Sequence, residues 1–247
     1  MLFRSLGGTK NLTGRTLEDG EFEFGLYESN SNGVAGTLIE AVSNDGTDFD
    51  FSTLTFNYGD EDTYYYLIKE VEGGLGGVTY DKTEYLVKVV VTNDGEGQLE
   101  ADVTYSVFDK TQKKWVAAQT IVFNNDYEAA DVDVDLEGTK NLEGRDLADG
   151  EFDFILYESD EYGNVGPPIQ TVSNVGAIFS FNSITFEDGE EGIYYYLIKE
   201  AEGALGGVTY DPTEYHVKVI ITDDGEGSLE AGVSYWILSE IQEAWIQ

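Results

Sequence analysis

The 247-residue chain reads as all-β: two tandem immunoglobulin-like β-sandwich domains, the second lacking its last strand. Three observations predict this. A long repeat recurs at one fixed offset, apolar and polar residues alternate with a period of two, and 29 glycines against 3 prolines suit many short strands joined by tight turns. No run carries a convincing helical period.

The repeat sets the domains. "GTKNLTGRTLEDGEFEF" from Gly8 returns as "GTKNLEGRDLADGEFDF" from Gly138, and "GGVTYDKTEYLVKVVVTNDGEG" from Gly76 returns as "GGVTYDPTEYHVKVIITDDGEG" from Gly206. The offset is 130 residues in both cases and needs no gap. That is far above the roughly 20–50-residue period of solenoids, so one domain is duplicated, with copies at residues 1–127 and 128–247.

The strands follow in order. "EFEFGLYES" alternates Phe22, Phe24 and Leu26 against Glu21, Glu23 and Gly25. "TYYYLIKE" places Tyr64, Tyr66, Ile68 and Glu70 on one face, and its copy "IYYYLIKE" ends in Glu200. "EYLVKVVVTNDGEGQLEADVTYSVF" reads as strand, Asn-Asp-Gly turn, strand. Leu86 is replaced by His216 in the second copy, which predicts an exposed face there. "TIVFNNDY" aligns Ile121, Phe123 and Asn125. "DVDVDLEGTKNL" opens the second copy with Val132, Val134, Leu136, Gly138, Lys140 and Leu142 on one face and Asp131, Asp133, Asp135 and Glu137 on the other. The N-terminal "MLFRSLGG" departs from it, with Arg4 in the place of Val134.

Composition narrows function. Hydrophobic residues at 41% and aromatics at 13% can fill real cores, so a net charge of −36 signals solubility and not disorder. That charge repels nucleic acid and anionic membranes, and no segment approaches the roughly 20 apolar residues of a membrane helix. The lack of cysteine excludes disulfides and thiolate metal sites, and one histidine, His216, excludes a His-rich metal site. Asp131, Asp133 and Asp135 lack the glycine turn of a calcium loop. "GGLGG" (residues 73–77) lacks the following helix that a phosphate loop needs. No metal and no cofactor is expected. Trp115, aligned with Trp245, is either a sugar-binding platform or packing.

Glu70 raises the central question, because a carboxylate in line with core residues is costly unless paired or neutralised. Phase also turns Lys10 and Lys140 inward, and Asn125 with them. One reading is ordinary: strand-end polar groups, with Lys10 and Glu70 as a surface ion pair. The other is chemical. Burial lowers a lysine pKa and raises a glutamate pKa, by up to about 3–5 units when complete. A neutral Lys10 amine could then attack the Asn125 side chain with loss of ammonia. A protonated Glu70 would polarise the asparagine carbonyl and pass a proton to the departing amine.

"KNLTGRTLEDGEFEFGL", "YYYLIKE", "YLVKVVV", the DGEG turn and "IVFNNDY" resemble the isopeptide-linkage domains of Gram-positive major pilins and related surface adhesins. The resemblance implies an immunoglobulin-like sandwich with one Lys–Asn bond per domain, formed once and without turnover, hence no enzyme. Carried over, it assigns Lys10 and Asn125 to the cross-link and Glu70 to its catalysis. In the second copy Lys140 and Glu200 match, but the counterpart of Asn125 would be position 255, beyond Gln247. Either the segment was cut away, or a strand of another chain completes the sheet. The implied role is a structural stalk or pilus-like adhesin module at the bacterial cell surface, with neighbouring repeats or subunits of a fibre as partners. The alternative is a binding module that meets a host glycan or protein through surface aromatics.

Overall fold

The computed structural model describes residues 1–239 and 244–246, and among these it is built of strands and turns with no helix. The chain divides into two compact units, Met1–Glu128 and Ala129–Gln247.

Unit 1 contains β1 (Leu2–Arg4), β2 (Gly7–Thr13), β3 (Glu23–Ser29), β4 (Ala35–Ser43), β5 (Asp48–Asp50), β6 (Leu54–Phe56), β7 (Thr63–Val71), β8 (Val78–Thr79), β9 (Glu84–Asn93), β10 (Leu99–Asp109), β11 (Lys114–Ala118) and β12 (Val122–Tyr127). A six-stranded sheet in the order β11-β10-β9-β7-β3-β4 faces a four-stranded sheet in the order β5-β2-β12-β8. The inner faces meet in a core that includes Phe22, Phe24, Phe49, Ile68, Val87, Val89 and Phe123. Alternation explains the choice: along β9, Tyr85, Val87, Val89 and Val91 are all buried.

The pairing that matters most is parallel. β12 runs beside β2 with Phe123 opposite Lys10 and Asn125 opposite Leu12, so the first and last long strands of the unit are neighbours. A close approach fixes the start of β2. A Cβ on Gly8 would lie 2.6 Å from the Phe49 ring and 2.8 Å from Ile121, so glycine lets core residues seat against the backbone. Phe49 in turn stacks on Phe24 at 3.8 Å between ring centroids.

Unit 2 contains β13 (Val132–Val134), β14 (Glu137–Thr139), β15 (Asp153–Ser159), β16 (Val165–Ser173), β17 (Ile178–Ser180), β18 (Ile184–Phe186), β19 (Gly192–Glu200), β20 (Glu214–Asp223), β21 (Leu229–Ser239) and β22 (Ala244–Ile246). Its six-stranded sheet, β16-β15-β19-β20-β21-β22, repeats the order of unit 1. The Phe154–Phe179 stack repeats as well, at 3.7 Å. The second sheet differs. Among the described residues β14 pairs only with β17, and it ends at Thr139 where β2 runs on to Thr13. The extra residues of β2 are those that β12 pairs with.

Two expectations need comment. Leu86 and His216 are 7% and 4% exposed, so their own position is covered and not open as the Leu-to-His exchange suggests, while Lys88 and Thr92 farther along the same face are exposed. The cover is a hairpin tip: His216 Nε2 lies 2.9 Å from the Asp160 carbonyl, and its ring stacks on Tyr195. The divergent N-terminus keeps its place, since Leu2 pairs with Phe56 as Val132 pairs with Phe186. Arg4, at the position of Val134, donates to the Ala101 carbonyl at 3.1 Å. Asp131, Asp133 and Asp135 are exposed, and the latter two accept from Thr185 and Ser183.

Candidate functional site

Lys10, Glu70 and Asn125 meet in the interior of unit 1. Their exposures are 0%, 7% and 0%, so the surface ion pair is not what the fold makes of them. Lys10 and Asn125 share the inner face of the parallel β2–β12 pair, two residues apart in register, and a lysine side chain spans that offset. Glu70 comes from the opposite sheet, where β7 pairs it with Phe24 of β3. The site is therefore where two strands of one layer face one strand of the other.

The contacts are specific. Lys10 Nζ lies 2.8 Å from Glu70 Oε1, close but without the alignment of a hydrogen bond, and it sits 4.2 Å over the Phe22 ring. Asn125 Nδ2 donates to the same Oε1 at 2.9 Å. Asn125 Oδ1 accepts from the backbone N–H of Asp81 at 2.7 Å, and that N–H is also 3.1 Å from Glu70 Oε2. The geometry thus differs in one atom from the expected arrangement. Glu70 holds the asparagine nitrogen, and the carbonyl oxygen belongs to Asp81. Burial pushes the Lys10 amine below its ordinary value of 10.5, against the opposing pull of the Glu70 carboxylate and, more weakly, of Asp81 and Glu21.

Alternation of side chains does not point to Asp81. The recurring "TYDKTEY" and "TYDPTEY" hold the signal, an Asp-x-Thr turn in both copies. The Asp81 carboxylate accepts the Thr83 N–H at 2.9 Å and hydroxyl at 2.5 Å through Oδ1, and the Asn124 N–H at 2.8 Å through Oδ2. One residue thereby ties the β8–β9 connection to the strand that carries Asn125.

In unit 2, Lys140 Nζ donates to Glu200 Oε2 at 2.7 Å and lies 4.4 Å over Phe152. Glu200 Oε1 is buried without a hydrogen-bond partner among the described residues. Beside the pair lies a cavity of about 430 Å³, walled by Lys140, Glu200, Asp211, Thr213, Tyr215 and Phe154. Unit 1 has β12 at this level. Tyr85, whose hydroxyl donates to the Val122 carbonyl of β12's first residue, is 7% exposed, whereas its counterpart Tyr215 is 43% exposed.

Trp115 donates its indole N–H to the Asn32 carbonyl at 3.0 Å and packs edge-on against Phe108, which is a structural use. The side chain of Trp245 lies outside the described residues. Asp188, Glu191 and Asp223 bring carboxylate oxygens together, but the first two are exposed and none was expected from spacing.

Fold and trio together define a class: β-sandwiches that place an amine and a carboxamide, from the first and last long strands, beside one carboxyl group in a buried core. The chain belongs to the FctA family of Spy0128-like isopeptide containing domains, which matches residues 6–128 and 136–244. No curated protein gives a match. Among solved structures it is similar to the major pilin of Streptococcus pyogenes, at 18% identity, a TM-score of 0.38, and coverage of 92% of this chain and 90% of the other. It is also similar to the T-13 major pilin protein of Streptococcus pyogenes serotype GAS131465, at 20% identity, a TM-score of 0.35, and coverage of 94% and 95%.

Proposed function

We propose that the chain is a structural module of a bacterial surface stalk or pilus-like fibre, built from isopeptide-linkage domains at residues 1–127 and 128–247. In the first, Lys10 and Asn125 join covalently with help from Glu70. The observation that carries this reading is the convergence of three polar side chains, two of them fully enclosed, with a buried amine held below its usual pKa. The neutral Lys10 Nζ attacks Asn125 Cγ. Glu70 Oε1, near both nitrogens, takes a proton from Nζ and delivers one to Nδ2, which leaves as ammonia. The reaction runs once per molecule, so it is maturation and not turnover. A bond between β2 and β12, the first and last long strands, keeps the chain between residues 10 and 125 from extending, which suits a part that carries tension along a fibre.

Intact mass of the folded full chain tests this. A deficit of one ammonia is expected, located by peptide mapping to residues 10 and 125, and absent in Glu70→Ala. A folded chain at its unmodified mass would sink the cross-link.

For the second domain, β14 pairs only with β17 and Glu200 Oε1 has no hydrogen-bond partner among the described residues, which supports an acceptor slot: an extended segment bearing an inward asparagine, from this protein or another chain, completes the sheet and meets Lys140. A synthetic peptide of residues 119–128, mixed with the full chain, is expected to attach at Lys140 with loss of one ammonia. No adduct after prolonged incubation would argue against an acceptor slot.

A further inference from the structure

We propose that the backbone N–H of Asp81 is the oxyanion donor of the Lys10–Asn125 reaction, aimed by the Asp81–Thr83 turn. The inference rests on the cross-linking reading above. When Nζ adds to Asn125 Cγ, the carbonyl π electrons move onto Oδ1, and that oxygen must be stabilised where Lys10, Glu70 and Asn125 are all buried. Glu70 does not supply this, because its hydrogen bond goes to the leaving nitrogen. The Asp81 N–H does, at 2.7 Å from Oδ1, inside the range of about 2.7–3.1 Å expected of oxyanion donors.

The donor is held from two sides. Oδ1 of Asp81 takes both the N–H and the hydroxyl of Thr83, which fixes the turn, and Oδ2 takes the N–H of Asn124, which fixes the backbone next to the electrophile. The same N–H also lies 3.1 Å from Glu70 Oε2, so it stands between the proton carrier and the reacting carbonyl. Among the described residues, unit 2 shows the turn without an acceptor strand. Asp211 accepts the Thr213 N–H at 2.9 Å and its hydroxyl at 2.6 Å, in the wall of the cavity that holds Lys140 and Glu200. The cradle is thus set before an asparagine arrives, and a preset donor needs no reorganisation during reaction.

The step balances. Nζ–Cγ forms while Oδ1 takes the electron pair at the Asp81 N–H. Collapse of that adduct breaks Cγ–Nδ2, one proton passes from Nζ through Glu70 to Nδ2, and ammonia departs. The carboxylate of Glu70 is regenerated, and no oxidant or co-reactant is required.

The test uses full chain made by cell-free synthesis, sampled over time and read by intact mass. Replacing Asp81 by its α-hydroxy acid exchanges one amide for an ester and removes only the N–H. Ammonia loss is expected to slow by about 10²-fold or more, while Asp81→Asn, which keeps the N–H, is slowed by less than about tenfold. An ester chain that cross-links at the unaltered rate overturns the proposal and leaves the cross-link intact. Failure of the unaltered chain to lose ammonia overturns the cross-linking reading itself. Should the ester chain not fold, hydrogen exchange of the Asp81 amide in Lys10→Ala decides. Protection that falls on adding Asn125→Ala is expected, since only the longer contact to Glu70 Oε2 remains, and equal exchange with and without Asn125 overturns the proposal.

Discussion

Asn125→Ala is expected to retain the full unmodified mass and to lower the stability of unit 1 by about 5 kcal/mol. The cross-link would close a loop from residue 10 to residue 125, and loop-closure entropy for roughly 100 residues is about 4.7 kcal/mol in the chain-entropy description used for disulfides. The substitution also strips the Asp81 N–H of its shorter partner, which costs about 1 kcal/mol or more. For a domain of this size such a change shifts the thermal midpoint by roughly 20 °C. Calorimetry of the full chain and its Asn125→Ala variant measures it. Midpoints within a few degrees, with the ammonia deficit present only in the parent, would show that the bond adds little to equilibrium stability.

The second large effect appears once the cross-link is absent. In an Asn125→Ala background, Lys10 and Glu70 remain a buried pair, their side chains 0% and 1% exposed. Removing one partner alone, as in Glu70→Ala, leaves an uncompensated buried amine and is expected to cost about 3–5 kcal/mol in a denaturant titration. Replacing both, Lys10→Met with Glu70→Met, is expected to be neutral or stabilising by about 1–4 kcal/mol, since two desolvated polar groups give way to apolar packing beside Phe22. Equal losses for the single and the double replacement would contradict this account of the pair. The same background has a signed pH dependence. The folded Lys10 pKa lies below 10.5, so between the two values the unfolded chain holds the extra proton. Stability therefore rises with pH across that window, and Lys10→Met flattens the slope.

Much of this was legible in the sequence because a strand has a period of exactly two residues in its side-chain direction, leaving few choices. Once "TYYYLIKE" was a strand, Glu70 had to share the side of Tyr66 and Ile68, and all three are buried. Lys10 and Asn125 followed from the same rule. What alternation could not supply was contact between elements. The Leu86-to-His216 exchange points to an open position, yet the Asp160 carbonyl of the β15–β16 hairpin meets His216 there. Asp81 escaped for a related reason: its function lies in a backbone N–H, and sequence pattern records side chains. Phase alone brings Lys10 and the Glu70 carboxyl near Asn125, so it points to Glu70 as the partner of the asparagine carbonyl that Asp81 in fact holds.

The parallel register of β2 and β12 has a further consequence. Because side chains alternate, a slip of one residue in that pairing would swing Asn125 out of the core and away from both Lys10 and Glu70. Only chains that have set their last strand correctly can react, and the lost ammonia diffuses away. The bond would then be a permanent record of a successful folding event, written molecule by molecule. A population of such chains would carry in its mass spectrum the fraction that ever reached the native register, even after the protein has been denatured.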